Sequence, residues 1–500
     1  MGTSIERERF DEEEFKRFSE RLSVCLATLR ELLRRPGFGK GPATLGAELE
    51  FFLVDETGRP LSLNQAVLAE MTDPRFTTEL NRFNLECNLT PSPLAGSPFT
   101  ALGQEIRSAL AEARRAVGRH GGRIATIGIL PTLRPEDLQR GAMSDVPRYR
   151  ALSAGLQRLR GGAPFEMDIH GDDVLQVSCD DVTFEGAGTS FQVHLRVDPA
   201  EFAGLYNAAQ VATAPVLSVA GNSPTFLGRR LWRETRVALF KQAIDERPEA
   251  GGRRQGIARV SFGNGWVRRD ALELFAESVI LHEPLLPIMS DENPAACLRS
   301  GGTPGLAELR LHQGTVWRWN RAIYDPVDGG HLRIELRVLP SGPTITDMLA
   351  NAVFLIGLTH GLAPRMPEWI SVYPFAMAHR NFYRAAKSGL DAELAWPRAT
   401  GRGVDLLTAR ELVHRLLPLA REGLLAAGIA PAESDPLLGM IEARSLSGQT
   451  AAVWQRAMLE DLEASMPREE ALRAMFERYL ALSDKDEPVH RWPLEGQGKP

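Results

Sequence analysis

"TLGAELEFFLVD", Thr44 to Asp55, sets two carboxylates two residues apart inside an apolar run. Its length and its Phe, Leu and Val content predict a strand, and a strand sends alternate side chains to opposite faces. Ala47, Leu49, Phe51 and Leu53 then share one face, which reads as a core face. Gly46, Glu48, Glu50 and Phe52 share the other. A solvated strand face mixes Thr, Lys and Arg more readily than it pairs two like charges beside a phenylalanine. Two close carboxylates repel unless a cation or a shared proton lies between them. Alone, Glu-x-Glu is compatible with a wet sheet face; as a working motif it asks for a hard cation such as Mg²⁺.

Three further segments alternate in the same way. "RFNLECN" sets Arg82, Asn84, Glu86 and Asn88 on one side. "FQVHLRV" sets Gln192, His194 and Arg196 against Phe191, Val193, Leu195 and Val197, and "LRIELRV" sets Arg333, Glu335 and Arg337 against Leu332, Ile334, Leu336 and Val338. If these strands share a sheet, one face rests on helices and the other carries carboxylates, a histidine and arginines. Mg²⁺ bridges carboxylates to phosphates and arginine grips phosphate oxygens with a planar fork, so that face suits a cation and phosphate site. Each group has a plainer reading. Glu335 and Arg337 could be an ion pair worth about 0 to 1 kcal/mol. His194 could be an ordinary hydrogen-bonded histidine, and Arg229, Arg230, Arg233 and Arg236 a solvated basic helix. Their joint occurrence favours the site.

The rest of the chain narrows the class. With 43% apolar residues, 24% charged residues and a net charge of -6, the 500 residues suit a folded protein acting on small molecules, with no polybasic surface for nucleic acid. The four cysteines, Cys25, Cys87, Cys179 and Cys297, are widely spaced, which predicts free thiols and a reducing cytoplasm. The charged start argues against a secretory signal, and no apolar stretch is expected to reach the roughly 20 residues that span a bilayer. No G-x-G-x-x-G follows a strand and no phosphate-binding loop of the Walker type occurs, so any nucleotide is held by another device. The sequence leaves the oligomeric state open.

Residues 11 to 35 predict an amphipathic helix packed on the body, with Phe15, Phe18, Leu22, Cys25, Leu29 and Leu32 at helical spacing. Ser97-Pro98 predicts a capped helix start, "HGGR" at 120–123 its stop, "IATIGIL" a strand, and Asp198-Pro199 another helix start. Residues 218–247 read as a loop running into an arginine-rich segment, "RPEAGGRRQG" as a mobile loop, and the chain from about Asp391 as helical beyond a break at "WPRATGRG". The predicted class is α+β: a largely antiparallel sheet with helices on one face and a helical C-terminal extension. Domain boundaries are expected near residues 40 and 390, giving an N-terminal helix (1–40), a catalytic body (41–390) and a C-terminal helical region (391–500).

"LGAELEFFLVD", "TELNRFNLECNLTP", "FQVHLRV", "NSPTFLGR" and "LRIELRVLP", in this order, resemble the glutamate-cysteine ligase family and its broader carboxylate-amine ligase branch. The resemblance implies a glutamine-synthetase-like fold, related to the guanidino-kinase architecture, with a curved sheet whose concave face holds Mg²⁺ and ATP and whose convex face carries helices. It implies Glu48, Glu50, Glu86 and Glu335 as metal ligands and Arg337 as the arginine that meets the transferred phosphoryl group. Glu79 resembles a further acidic ligand, though strict alternation would turn it away from Glu86 unless it lies in a loop or bulge. His194 matches a histidine near the nucleotide, and Arg233 and Arg236 would receive the substrate carboxylate or phosphates. "LHQGTVWRWNR" adds His312, Thr315 and Arg321 as weaker candidates. The activity implied is ATP-dependent joining of a carboxylate to an amine through an acyl phosphate, most commonly the glutamate γ-carboxylate to cysteine in glutathione biosynthesis. A guanidino-kinase-like phosphotransferase and a catalytically silent binding protein are the alternatives.

Overall fold

The computed structural model of the chain describes residues 7–247, 249–250, 253–254, 256–398 and 403–494. Its centre is a seven-stranded antiparallel sheet in which six strands run, edge to edge, Asn320–Asp325, His331–Leu336, Phe191–Val197, Thr44–Val54, Asn84–Pro93 and Phe76–Thr78. The seventh, Arg123–Ala125, pairs with the far end of the Thr44–Val54 strand. The strands form where the alternation predicts them, because one of their faces is a continuous apolar surface: Leu49, Phe51, Leu53, Phe191, Val193, Leu195, Ile334 and Leu336 are all fully buried. Against it lie two long helices, Pro98–Gly118 and Phe202–Ala220, and a third, Ile345–Leu362, packs on both. The run Ile345–Val372 is long and apolar enough to cross a membrane by length and composition, contrary to expectation, but 83% of its most apolar window is buried inside the protein. It is apolar all round because it is packed all round.

The N-terminal helix, Glu12–Leu32, carries a capping box at Asp11 and Glu14 and sinks Phe18, Leu22, Cys25, Leu29 and Leu32 into this main core. After Asp391 the chain first makes a hairpin, Glu393–Pro397 with Val404–Thr408, where a helix was expected. Residues 399–402 of the predicted break lie outside the described residues. Four helices follow, Ala409–Ala426, Pro431–Ser447, Ala451–Glu463 and Arg468–Ser483. The first meets Ile345–Leu362 backbone to backbone: a Cβ on Gly423 would collide with the carbonyl of Gly357. The second is tied to the same helix by a buried pair, Arg444 Nη2 to Asp347 Oδ1 at 2.7 Å.

The last two helices build a second core on the other face of the sheet. There Phe52 stacks on Phe83 at 6.2 Å and joins Ile127, Phe226, Trp454, Phe476 and Tyr479. This explains the phenylalanine beside Glu50: one half of the polar face is apolar because helices cover it.

Several local expectations change. "IATIGIL" is a strand only over Arg123–Ala125, because Ile127 and Ile129 leave the sheet edge for the second core. Ser97 precedes its helix without a side-chain capping bond. The helix after Asp198-Pro199 begins at Phe202, since the Asp198 carboxylate accepts from the Ala200 N–H in a turn. Residues 218–247 are not one basic segment: Arg229–Arg230 pair with Thr225–Phe226, and a helix spans Thr235–Ala243. Within the predicted mobile loop, Glu249–Ala250 and Arg253–Arg254 pair as a short hairpin, while residues 248, 251–252 and 255 lie outside the described residues.

Candidate active site

Register, more than composition, assembles the site. Glu50 stands opposite Glu86, Glu48 opposite Gln192, and Glu335 opposite His194. Because paired residues in an antiparallel sheet share a face, four strands present these side chains on one surface. The ionisable groups fall into two triads, each able to offer three ligand atoms within 4.8 Å of one another: Glu48, His194 and Glu335, and Glu50, Glu79 and Glu86.

In the first triad, His194 Nε2 lies 3.3 Å from Glu48 Oε1 and 3.7 Å from Glu335 Oε1. Glu335 is gripped by Arg321 through Nε–Oε2 at 2.5 Å and Nη2–Oε1 at 2.9 Å, and Arg337 Nη1 adds a third contact at 3.3 Å. Burial works to raise the Glu335 pKa, but Arg321 and Arg337 outweigh it and hold the group far below the usual carboxylate range. Burial likewise opposes ionisation of Glu48, and the facing His194 overrides it, so Glu48 is also held down.

The second triad is compensated less. Glu79 does lie in a loop, between the strands Phe76–Thr78 and Asn84–Pro93, which frees it from alternation. That loop is pinned: Tyr149 Oη donates to the Thr78 carbonyl at 2.9 Å, and the Asn64 amide donates to the Asn81 carbonyl at 3.2 Å. Burial first, then Glu50 and Glu185, push Glu79 up to about 8. Burial and the neighbours Glu48, Glu79 and Glu50 push Glu86 well above the ordinary value. Glu50 is raised by burial in spite of Arg337 and Arg236. Its oxygens accept from Gln192 Nε2 and the Ser190 N–H, both at 2.7 Å, while Glu86 accepts from Asn88 Nδ2 at 2.6 Å. Three half-buried carboxylates converging against little opposing charge form a hard-oxygen set that fits Mg²⁺.

Arg337 joins the two triads. Its Nη1 donates to Gln192 Oε1 at 2.6 Å as well as to Glu335, and Gln192 passes the contact to Glu50. Nε and Nη2 of Arg337 make no hydrogen bond among the described residues. The strand's end is fixed from behind: Arg236 Nη2 donates to the Val338 carbonyl at 2.6 Å, and its Nε donates to the buried Glu234 at 2.9 Å. A polar knot ties in the C-terminal helices. Asn222 Nδ2 donates to the Ser341 carbonyl and to Tyr479 Oη, both at 2.8 Å, and Gln455 Nε2 donates to Asn222 Oδ1 at 2.7 Å.

The structure therefore brings together Glu48, Glu50, Glu79, Glu86, His194, Glu335 and Arg337. Arg236 reaches the site as a buried tether rather than as a phosphate-binding group, its hydrogen bonds going to protein acceptors. Arg233 is not part of the sheet face; it lines a separate cavity beside Asp391. His312 and Thr315 also lie elsewhere, His312 being buried with Nε2 at 2.9 Å from the Ser278 carbonyl. Of that weaker group Arg321 is in the site. The residue the sequence reading missed is Glu185, whose carboxyl is driven up to about 7 by burial and by Glu50. Its one signal is an acid in "FEGAG" directly before the alternating strand.

Known proteins are similar to this chain over different lengths. A glutamate–cysteine ligase of Natronomonas pharaonis is 36% identical over 117 residues, which cover 22% of this chain and 29% of that protein, so the match spans less than a third of the relative's length. The crystal structure of a glutamate–cysteine ligase from Francisella tularensis in complex with AMP superposes with a TM-score of 0.50 at 12% identity, covering 92% of this chain and 91% of that one, and shares the curved antiparallel sheet. A bifunctional glutathione synthetase from Pasteurella multocida gives a TM-score of 0.47 at 12% identity, over 93% of this chain and 55% of that one. The family model for glutamate-cysteine ligase family 2 matches residues 44–478, from the first strand of the sheet to the last long helix, and the chain belongs to that family.

Proposed function

We propose that this member of an ATP-dependent carboxylate-amine ligase family joins the glutamate γ-carboxylate to the amine of cysteine, a reaction of glutathione biosynthesis. The observation that carries the ligase reading is the pair of part-buried triads, five glutamates and His194, bridged by Arg337 on one sheet face. A carboxylate is a poor electrophile. ATP activates it by giving up its γ-phosphoryl group, so that a P–O bond forms to the carboxylate as ADP leaves. The amine nitrogen then attacks the acyl carbon, the C–O bond to phosphate breaks, and the amide, inorganic phosphate and a proton are released. Glu50, Glu79 and Glu86, and Glu48, His194 and Glu335, would hold Mg²⁺, which when bound would supply charge neutralisation at phosphate oxygens. Arg337 stabilises charge on the moving phosphoryl group through the nitrogens it does not spend on Glu335 and Gln192. Gln192 and Arg321 keep Arg337 and Glu335 oriented, and Arg236 fixes the end of the strand that carries both. The four unpaired thiols suit a reducing cytoplasm.

The test is ADP release with Mg²⁺ against a panel of carboxylates, with and without amines, followed by mass spectrometry. A γ-glutamyl amide that requires cysteine supports the full reading. An amide from another pair keeps the ligase and moves its substrates, and a stable phosphorylated product replaces ligation with phosphotransfer.

A further inference from the structure

Away from the sheet face a cavity of about 660 Å³ opens between the ends of four helical segments. Its wall includes the charged or polar Arg233, Asp391, Arg410 and His490 and the apolar Val453 and Leu494, and it shares no residue with either triad. The volume lies in the range of small-molecule sites, and the mix of an apolar wall with a few convergent charged groups is typical of them.

Arg233 is the informative residue. Its side chain is 23% exposed, and its nearest opposite charge is Asp391 Oδ2 at 3.8 Å, on a side chain that is itself 69% exposed. No hydrogen bond to its guanidinium exists among the described residues, whereas Arg410 spends Nη1 on the carbonyls of Ser445 and Leu446. His490 Nδ1 is buried and has no partner among the described residues. A half-desolvated guanidinium with so weak a counter-charge is costly to the fold, and the cost is recovered when an anion is bound. The walls are preformed: Gln449 Nε2 donates to the carbonyls of Val489 and Trp492 at 2.8 Å, and the Arg233 N–H donates to the Lys387 carbonyl at 3.1 Å.

We propose that this cavity binds a small organic anion, its carboxylate or phosphate head on Arg233 with Arg410 adding positive charge and the unpartnered His490 ring nitrogen a hydrogen bond, and its apolar body against Val453 and Leu494. The inference is independent of which carboxylate and amine the sheet face joins. Arg233 is three residues from Arg236, which holds the Val338 carbonyl beside Arg337, so an occupant sits on the segment that supports the catalytic strand.

The experiment is calorimetric titration of the full chain, with ADP and Mg²⁺ at saturation to fill the sheet face, against phenyl phosphate, benzoate and neutral benzyl alcohol. At least one of the two anions should bind in the millimolar range or tighter, and the alcohol should not. Comparing the two anions decides between a phosphate and a carboxylate head. Arg233→Met, which removes no hydrogen bond, should weaken binding tenfold or more, and Val453→Trp, which fills the cavity, should abolish it. Absence of binding by both anions, or wild-type affinity in either variant at an unchanged melting temperature, overturns the proposal.

Discussion

The two triads lie side by side on one sheet and are built from the same residue type, yet their electrostatics are opposite. Glu335 and Glu48 are ionised without help because Arg321, Arg337 and His194 stand against them. Glu79 and Glu86 face other carboxylates, and burial with that repulsion favours their protonated forms, while burial raises Glu50 against Arg337 and Arg236. The first triad meets strong opposing charge from the protein itself; the second meets far less. That difference separates two sets of ligand atoms by how much a bound cation would gain at each, a distinction that residue type alone does not make.

The comparison is most sharply tested by removing single carboxylates. Glu50→Gln and Glu86→Gln should each cut turnover by about 10³-fold or more at limiting Mg²⁺, since each removes a charged ligand from the set that has no other cation. Raising Mg²⁺ should recover part of the loss. Wild-type rates at limiting Mg²⁺ would remove the metal role from the second triad. Arg337→Lys comes next. Lysine keeps the charge but lacks the fork that reaches Glu335, Gln192 and a phosphoryl oxygen together, so kcat should fall about 10²-fold, on the order of 3 kcal/mol, with a smaller change in KM. Near-normal kcat would return Arg337 to a structural ion pair.

Stability should then move in opposite directions in the two triads. Glu335→Gln leaves two buried guanidinium groups without their shared carboxylate and should cost about 3 kcal/mol in metal-free protein. Glu79→Gln removes one of three repelling groups and should leave metal-free stability unchanged or raised, while abolishing most of the rise in melting temperature that Mg²⁺ gives the wild type. Thermal melts with Mg²⁺ and with EDTA read both variants. A loss of equal size in the two would mean that the triads do not differ as described.

Much of this site is legible in the sequence because the strands are half-buried. A period of two with one apolar face leaves no freedom in where Glu48, Glu50, Glu86, His194, Glu335 and Arg337 point. What strand alternation cannot carry is contact between distant segments. It marks Phe52 as an oddity beside Glu50, and only the packing of Trp454 and Tyr479 shows that helices 400 residues onward (roughly) cover it. It treats Arg229, Arg230, Arg233 and Arg236 as one basic face, whereas a break at Arg233 sends the last two to a cavity and to a strand end. Glu79 was readable as a condition, loop or nothing, and Glu185 hardly at all, because loops have no period to read.

The smallest expected effect concerns two histidines, of which the sequence offers His194 as a site residue and His312 as a weaker candidate. His194 stands between carboxylates, while His312 is buried, and burial first, then Arg259 and His282, press its pKa down to about 4 against the Ser278 carbonyl. Its ordinary value is about 6.5, so between these two pH values the unfolded chain binds a proton that the folded chain does not. The stability this withholds is fully present above pH 6.5, is lost as pH falls toward 4, and amounts to something on the order of 2 kcal/mol. His312→Gln keeps an amide donor for the Ser278 carbonyl and has no group to titrate. Its denaturation midpoint should therefore fall less steeply than the wild type's between pH 6.5 and 4, with ATP turnover at neutral pH within about twofold. His194→Gln should lose turnover instead, because it stands against Glu48 and Glu335. If His312→Gln lost turnover while its acid limb stayed as steep as the wild type's, the histidine would belong to the chemistry, and the boundary drawn around the two triads would have to move outward to include the helix that carries it.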